Sequence, residues 1–231
     1  MIIPEKYVYI VADLIFLVIW IILYLHRKDL RKEMLVMSLI IGIIGIPGEY
    51  FLWIKDWWRP QTITGTAVGI EDFLLGFTNG GIAAVLYEEI FRRRLYARTH
   101  IKHNLGGISL LTLFFFILLT LFWGLNLTSA LSTFIALIVM DVVLFSLRKD
   151  LLVSSLLTGM LMVLVTSPLY YFGMIFSPGY IEKTWMLQNL SGIVITGIPI
   201  EDIIFYFLLG LTAAPLYEFW QNERLRKMSK K

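Results

Sequence analysis

The chain alternates long apolar stretches with short charged ones, at a spacing set by the thickness of a membrane. Seven stretches, near 7–25, 34–54, 66–91, 106–124, 129–147, 151–176 and 193–220, can span or nearly span a hydrocarbon core of about 30 Å. The pattern predicts seven transmembrane helices in an all-α integral membrane fold. Charges between the stretches fall on alternating sides. Arg27, Lys28, Arg31 and Lys32 follow the first, and Arg92, Arg93, Arg94, Arg98 and Lys102 the third. Arg148 and Lys149 follow the fifth, and Arg224, Arg226, Lys227, Lys230 and Lys231 the seventh. Sixteen basic residues thus share one side, against four (Lys6, Lys55, Arg59 and Lys183) on the other. The positive-inside rule then puts the N-terminus outside the cell membrane and the C-terminus in the cytoplasm, which needs an odd number of spans. No basic region precedes the first span and no small-residue cleavage site follows it, so it reads as an uncleaved anchor. Trp53, Trp57, Trp58, Trp123, Tyr180 and Trp185 gather at the outer ends, and Trp20, Tyr24 and Trp220 toward the inner ends, as aromatic belts would.

The third and seventh stretches repeat one another. Thr66 to Phe91 aligns without a gap on Thr196 to Gln221, with 11 identities in 26 positions, including Glu71-Asp72 with Glu201-Asp202 and Leu86-Tyr87-Glu88 with Leu216-Tyr217-Glu218. Arg31-Lys32-Glu33 aligns with Arg148-Lys149-Asp150, and Gly42 with Gly159. The second half is longer between these blocks, which predicts a larger outer loop around 177–190. Spans 1–3 thus correspond to spans 5–7. A three-span unit reverses its own direction, so two in series would be antiparallel; a fourth span restores the direction. The expected organisation is a three-helix repeat over 1–104, a linker helix over 105–127 and a second, parallel repeat over 128–231. Gly76, Gly80, Ala83-Ala84, Gly210 and Ala213-Ala214 would let helix backbones approach closely.

Composition adds exclusions. Hydrophobic residues make up 58% and charged ones 16%, with a mean hydropathy of +0.77, too apolar for a soluble domain. No cysteine is present, so disulfides and thiolate metal sites are excluded. No two histidines stand at ligand spacing on one helix, and His100 and His103 fall in a basic loop, so no metal site is expected. No phosphate-binding glycine loop, serine elbow or dinucleotide fingerprint occurs, and no cofactor or nucleic acid is implied. The seventh span has no lysine to carry a retinal Schiff base.

Candidate chemistry rests on the acids. Two adjacent carboxylates in a membrane segment are costly, and here they occur twice at matching places. A two-fold arrangement would gather Glu71, Asp72, Glu201 and Asp202 around one pocket, with Glu49 and Asp13 nearby. Pro199 suits a helix start, where the first turn favours negative charge; simple capping is therefore the competing reading. Adjacent carboxylates can divide roles, one ionised and one protonated, as acid–base work requires. Glu88, Glu89 and Glu218 are expected in solvated ion pairs, Asp141 at an interface, and Asn79 in an interhelical hydrogen bond.

The segment Gly197-Ile198-Pro199-Ile200-Glu201-Asp202 resembles the proline–acid–acid motif of the small integral-membrane lycopene cyclases, themselves tandem repeats of short multi-span units. Gly69 stands where that motif has proline. The resemblance implies cofactor-independent cyclisation of a carotenoid ψ-end group, a lycopene β-cyclase-like isomerisation. A proton is added to an alkene and another is removed, with Glu71, Asp72, Glu201, Asp202 and Glu49 as the acids. It implies a long polyisoprenoid substrate met within membrane lipid, with Phe73, Phe77, Phe205, Tyr206 and Trp53 near it and able to stabilise a cation. A small-solute transporter of the SWEET kind and a non-catalytic isoprenoid-binding protein stay open, as does assembly into an oligomer.

Overall fold

A computed structural model describes residues 3–97 and 104–227. Arg98, His100, Lys102, His103, Lys230 and Lys231 lie outside the described residues. Seven long helices follow in order: α1 (Glu5–His26), α2 (Arg31–Gly48), α3 (Ile70–Ile90), α4 (Asn104–Leu119), α5 (Ser129–Leu147), α6 (Leu152–Phe176) and α7 (Ile200–Gln221). The second runs on through a π-helical turn, Glu49–Trp53, to Asp56. Among the described residues, six of these helices are long and apolar enough to cross a membrane; α3 falls short. Its shortfall has a physical reason. Glu71, Asp72, Thr78, Asn79 and Glu88 lower its hydropathy, and all five are buried. The helix packs most extensively on α2 and also meets α1, α6 and α7, so protein rather than lipid surrounds it. The linker α4 packs on α5 and α7.

The halves repeat in three dimensions. A Cβ on Gly80 would meet the Met37 carbonyl oxygen at 2.8 Å, and one on Gly210 the Thr158 oxygen at 2.9 Å. Only glycine allows those crossings, α2 on α3 and α6 on α7. Before each crossing an arginine locks the same corner. Arg27 forks onto Asp29 and donates to the carbonyl oxygens of Glu88 (2.7 Å) and Arg93 (2.6 Å). Arg148 forks onto Asp150 and donates to Glu218 (3.2 Å) and Glu223 (2.6 Å) in the same manner. The structural partner of Arg148-Lys149-Asp150 is therefore Arg27-Lys28-Asp29. The expected pairing with Arg31-Lys32-Glu33 is one helical turn out, because both triplets begin with Arg-Lys and end in an acid. In the corrected register Pro47 matches Pro168, both inside their helices.

Two short ribbons were not expected of an all-α chain. Strand β1 (Arg93–Ala97) pairs antiparallel with β4 (Glu223–Lys227), and Leu95 sits opposite Leu225. Those leucines occupy matching positions of the repeat, so the pairing is that of a local two-fold axis through the ribbon. A hairpin joins β2 (Val194–Ile195) to β3 (Ile198–Pro199) through Thr196 and Gly197, both at positive φ, as a tight primed turn requires.

Near the ribbon, Glu33, Glu88 and Glu218 are buried rather than in solvated pairs. Glu89 does pair, with His26 and Arg27, and Asp29 and Asp150 supply the other ion pairs there. Burial alone would raise the Asp29 carboxyl, but hydrogen bonds and charge from Arg27 outweigh it and hold the group below its ordinary 3.8.

Candidate active site

The segment Trp57–Arg59 at the end of α2 and the loop around 177–190 fold onto each other at the end of the molecule opposite the ribbon. Arg59 N–H donates to Thr184 and Met186 N–H to the Trp57 carbonyl, so Trp58 and Trp185 bridge as a scrap of sheet. Trp57 (3% exposed), Trp185 and Tyr180 are thus buried and do not form an outer belt; Trp20, also buried, donates to Ser38. Trp123 alone of the outer tryptophans is largely exposed. Under this roof lies a cavity of ≈ 130 Å³. An engineered apolar void of about 150 Å³ takes up benzene, so this one is the size of a single six-membered ring.

The cavity walls are aromatic. Tyr9 packs on Trp58 at 5.3 Å, Trp58 on Trp185 at 5.6 Å, and Trp185 on Tyr170 at 5.5 Å. Tyr170 meets Tyr206 at 6.2 Å, and Phe205 meets Trp57 at 5.4 Å and Trp53 at 6.0 Å. Three carboxylates interrupt the apolar lining: Glu49, Asp72 and Asp202. Asp72 comes from the first turn of α3, Asp202 from the first turn of α7, and Glu49 from the π turn of α2. A π turn rotates the residues that follow it relative to a regular helix, a device frequent at functional sites. All three acids are buried.

The other two acids of the duplicated pairs point elsewhere. Glu71 Oε1 accepts from Ile63 N–H at 2.6 Å, and Glu201 Oε1 from Ser191 N–H at 2.7 Å. Each therefore ties down the loop ahead of its helix, and neither lines the cavity. Phe205, Tyr206 and Trp53 line it. Phe73 and Phe77 do not: Phe73 covers Gly42, and Phe77 packs on Trp20 at 5.1 Å. Asn79 reaches the cavity but donates to Leu75 of its own helix, so the expected interhelical bond is not made by that group. Asp141 is buried and accepts from Thr212 at 2.9 Å, linking α5 to α7 instead of facing an interface.

The two cavity aspartates hold matching positions and different partners. Gly69 N–H donates to Asp72 Oδ2 at 2.6 Å, closing the first turn, and Tyr9 O–H donates to Oδ1 at 3.0 Å. In the second half Pro199 stands at the cap and has no N–H to give. Counting back from the matched arginines puts Ala130 where the first half has Tyr9. Trp185, Tyr170 and Trp57 approach the Asp202 carboxylate, but neither indole N–H closes a hydrogen bond, and Asp202 Oδ2 is unpartnered. Glu49 accepts from Trp58 at 3.0 Å, and its counterpart in the second half is Tyr170.

Sequence reasoning overlooked Tyr9, Trp57, Trp58, Tyr170 and Trp185 as cavity residues. One signal was available for Tyr170. Pro47-Gly48-Glu49-Tyr50-Phe51 matches Pro168-Leu169-Tyr170-Tyr171-Phe172 at three of five positions, which sets Tyr170 against Glu49.

Fold and site together define a helical membrane protein of two repeat-like halves, with acids of both halves turned into one apolar chamber. The lycopene cyclase family model matches the chain twice, over residues 6–90 and 126–220, one match for each half. The chain belongs to the lycopene cyclase family. No curated protein and no solved structure matches it.

Proposed function

We propose that the protein closes a β-ring on the ψ-end group of lycopene or a closely related carotenoid, by adding one proton and removing another. The observation that carries this reading is the convergence of Asp72, Asp202 and Glu49 on one aromatic-walled cavity of single-ring size, in a chain of this family. Carboxylates out of water can act as acid and as base. The aromatic faces of Tyr9, Trp58, Trp185, Tyr206 and Phe205 suit a carbocation. Glu71 and Glu201 serve as positioning residues, because each fixes the loop before a helix that carries an aspartate. The reaction is an isomerisation and needs no co-reactant.

We also propose that all seven helices cross the membrane, with the N-terminus outside and the C-terminus in the cytoplasm. The two-fold pairing of β1 with β4 supports parallel repeats, with the residues 105–127 as linker, and the basic residues support placing the ribbon on the inner side. The cavity then opens within the outer half of the bilayer, where a long polyene dissolves.

Expression in lycopene-accumulating bacteria, with pigments separated by chromatography, tests the reading. Monocyclic or bicyclic carotenoid is expected, and its loss in Asp202→Asn. Unchanged lycopene from membrane-inserted wild-type protein would overturn cyclisation of lycopene, leaving transport or passive binding of an isoprenoid.

A further inference from the structure

The chemistry of ring closure needs two groups in opposite states, and the two halves supply two buried aspartates whose oxygens are differently partnered. We propose that Asp202 delivers the proton that starts cyclisation and Asp72 removes the proton that ends it, with Tyr9 and the Gly69 N–H as the groups that fix this division. The assignment rests on the cyclase reading and deepens it.

A hydrogen bond donated to a carboxylate favours its ionised form. Both oxygens of Asp72 are met by donors, from Gly69 and from Tyr9. Gly69 is the position where the second half has Pro199, and proline removes that donor outright. Glycine rather than proline at position 69 thus gives Asp72 a second donor. Asp202 lacks both counterparts and keeps an unpartnered buried oxygen. A buried, unsatisfied carboxyl oxygen is costly as an anion and less so as an acid. Tyr170, Trp185 and Trp57 stand beside Asp202 and can close on the charge it acquires once the proton has left.

The step balances. The Asp202 O–H bond breaks and its proton adds to the terminal alkene of the ψ-end, leaving a tertiary cation. The neighbouring double bond attacks that cation, forming the ring C–C bond and moving the positive charge to a ring carbon. Asp72 takes the proton from the adjacent carbon, whose C–H electron pair becomes the ring double bond. One proton leaves Asp202 and one arrives on Asp72. The protein's proton count is unchanged, and the site resets by moving one proton back. Other ionisable groups face the pair: Asp13 from α1, Glu49 from α2 and Glu71 from α3 act on Asp72, and Tyr170, Tyr206 and Glu201 on Asp202.

The pH–rate profile of purified protein in lipid nanodiscs, with lycopene as substrate, separates the roles. Its acidic limb reports the base and its alkaline limb the acid. Tyr9→Phe removes one donor from Asp72, and should move the acidic limb up by about one pH unit while the alkaline limb stays. Gly69→Pro should move the same limb; should it fail to fold, Tyr9→Phe carries the test alone. Trp185→Phe should move the alkaline limb only. A Tyr9→Phe profile that shifts on the alkaline side reverses the roles and overturns the proposal, as does one that shifts on neither. Failure of the cyclase reading looks different: the wild-type protein then forms no ring at any pH.

Discussion

At the ribbon end the two halves are near copies, and at the cavity end they differ. Arg27 and Arg148 make the same fork and reach the same two carbonyl positions. Gly80 and Gly210 permit the same crossing. At the cavity, Glu49 has Tyr170 as its counterpart in the repeat, Gly69 has Pro199, and Tyr9 has only Ala130. A shared scaffold can keep its packing fixed while single positions diverge. In a strictly symmetric chamber both aspartates would have identical partners, and nothing in the fold would fix which is acid and which is base. On the proposed division of roles, the departures from symmetry sit where the proton is given its direction.

The sharpest test of that contrast is at the aspartates. Asp72→Asn and Asp202→Asn should each lower cyclisation by about 100-fold or more, the usual worth of a general acid or base. Asp141→Asn, outside the cavity, should retain most activity; initial rates on lycopene in nanodiscs decide. Equality at the crossings comes next. Gly80→Leu and Gly210→Leu should each cost about 1–3 kcal/mol through overpacking, read as matched drops in thermal midpoint in detergent. Markedly unequal drops would break the corrected register of α2 and α6. Glu71→Ala and Glu201→Ala each strand a backbone N–H, at Ile63 and Ser191. A loss of about 1–3 kcal/mol is expected from each, with turnover reduced far less than by the aspartate changes. A 100-fold loss of rate in a stable variant would make these acids chemical participants.

The smallest effect lies at the corner geometry that the halves share. Asp29 is held below its ordinary 3.8 in the folded protein, because Arg27 favours its charged form over the opposing burial. Its contribution is therefore fully present above 3.8 and is lost as the pH falls through the lowered value. Asp29→Asn should cut stability at neutral pH slightly and leave it nearly unchanged well below pH 3.8, by denaturation across that window.

Much of the fold was legible because its signals are local. Apolar length marks the helices, and the repeated Glu-Asp at a helix start marks α3 against α7. The register of α2 against α6 was misread because Arg-Lys-acid occurs at both 27–29 and 31–33, and only the carbonyl partners of Arg27 distinguish them. Within each acidic pair, nothing in the sequence tells the glutamate's role from the aspartate's. The helix turn separates them: the glutamate reaches back to a loop N–H, and the aspartate turns inward. Trp57, Trp58 and Trp185 read as belt residues because an aromatic at a span end usually meets lipid headgroups. Their burial depends on a pairing between segments far apart in the chain, which no local pattern carries.

The ribbon of β1 and β4 has an implication for origins and assembly. Leu95 opposite Leu225 is a residue opposite its own duplicate, and the flanking positions are exchanged, 94 with 226 and 96 with 224. Such self-complementary contact is what joins the subunits of a two-fold dimer. Here it is folded into one polypeptide, so the chain is built like a dimer whose subunits have been tied together. Tying them frees each copy to mutate alone. A real dimer of identical subunits would have to place the same residue on both sides of its axis at every step.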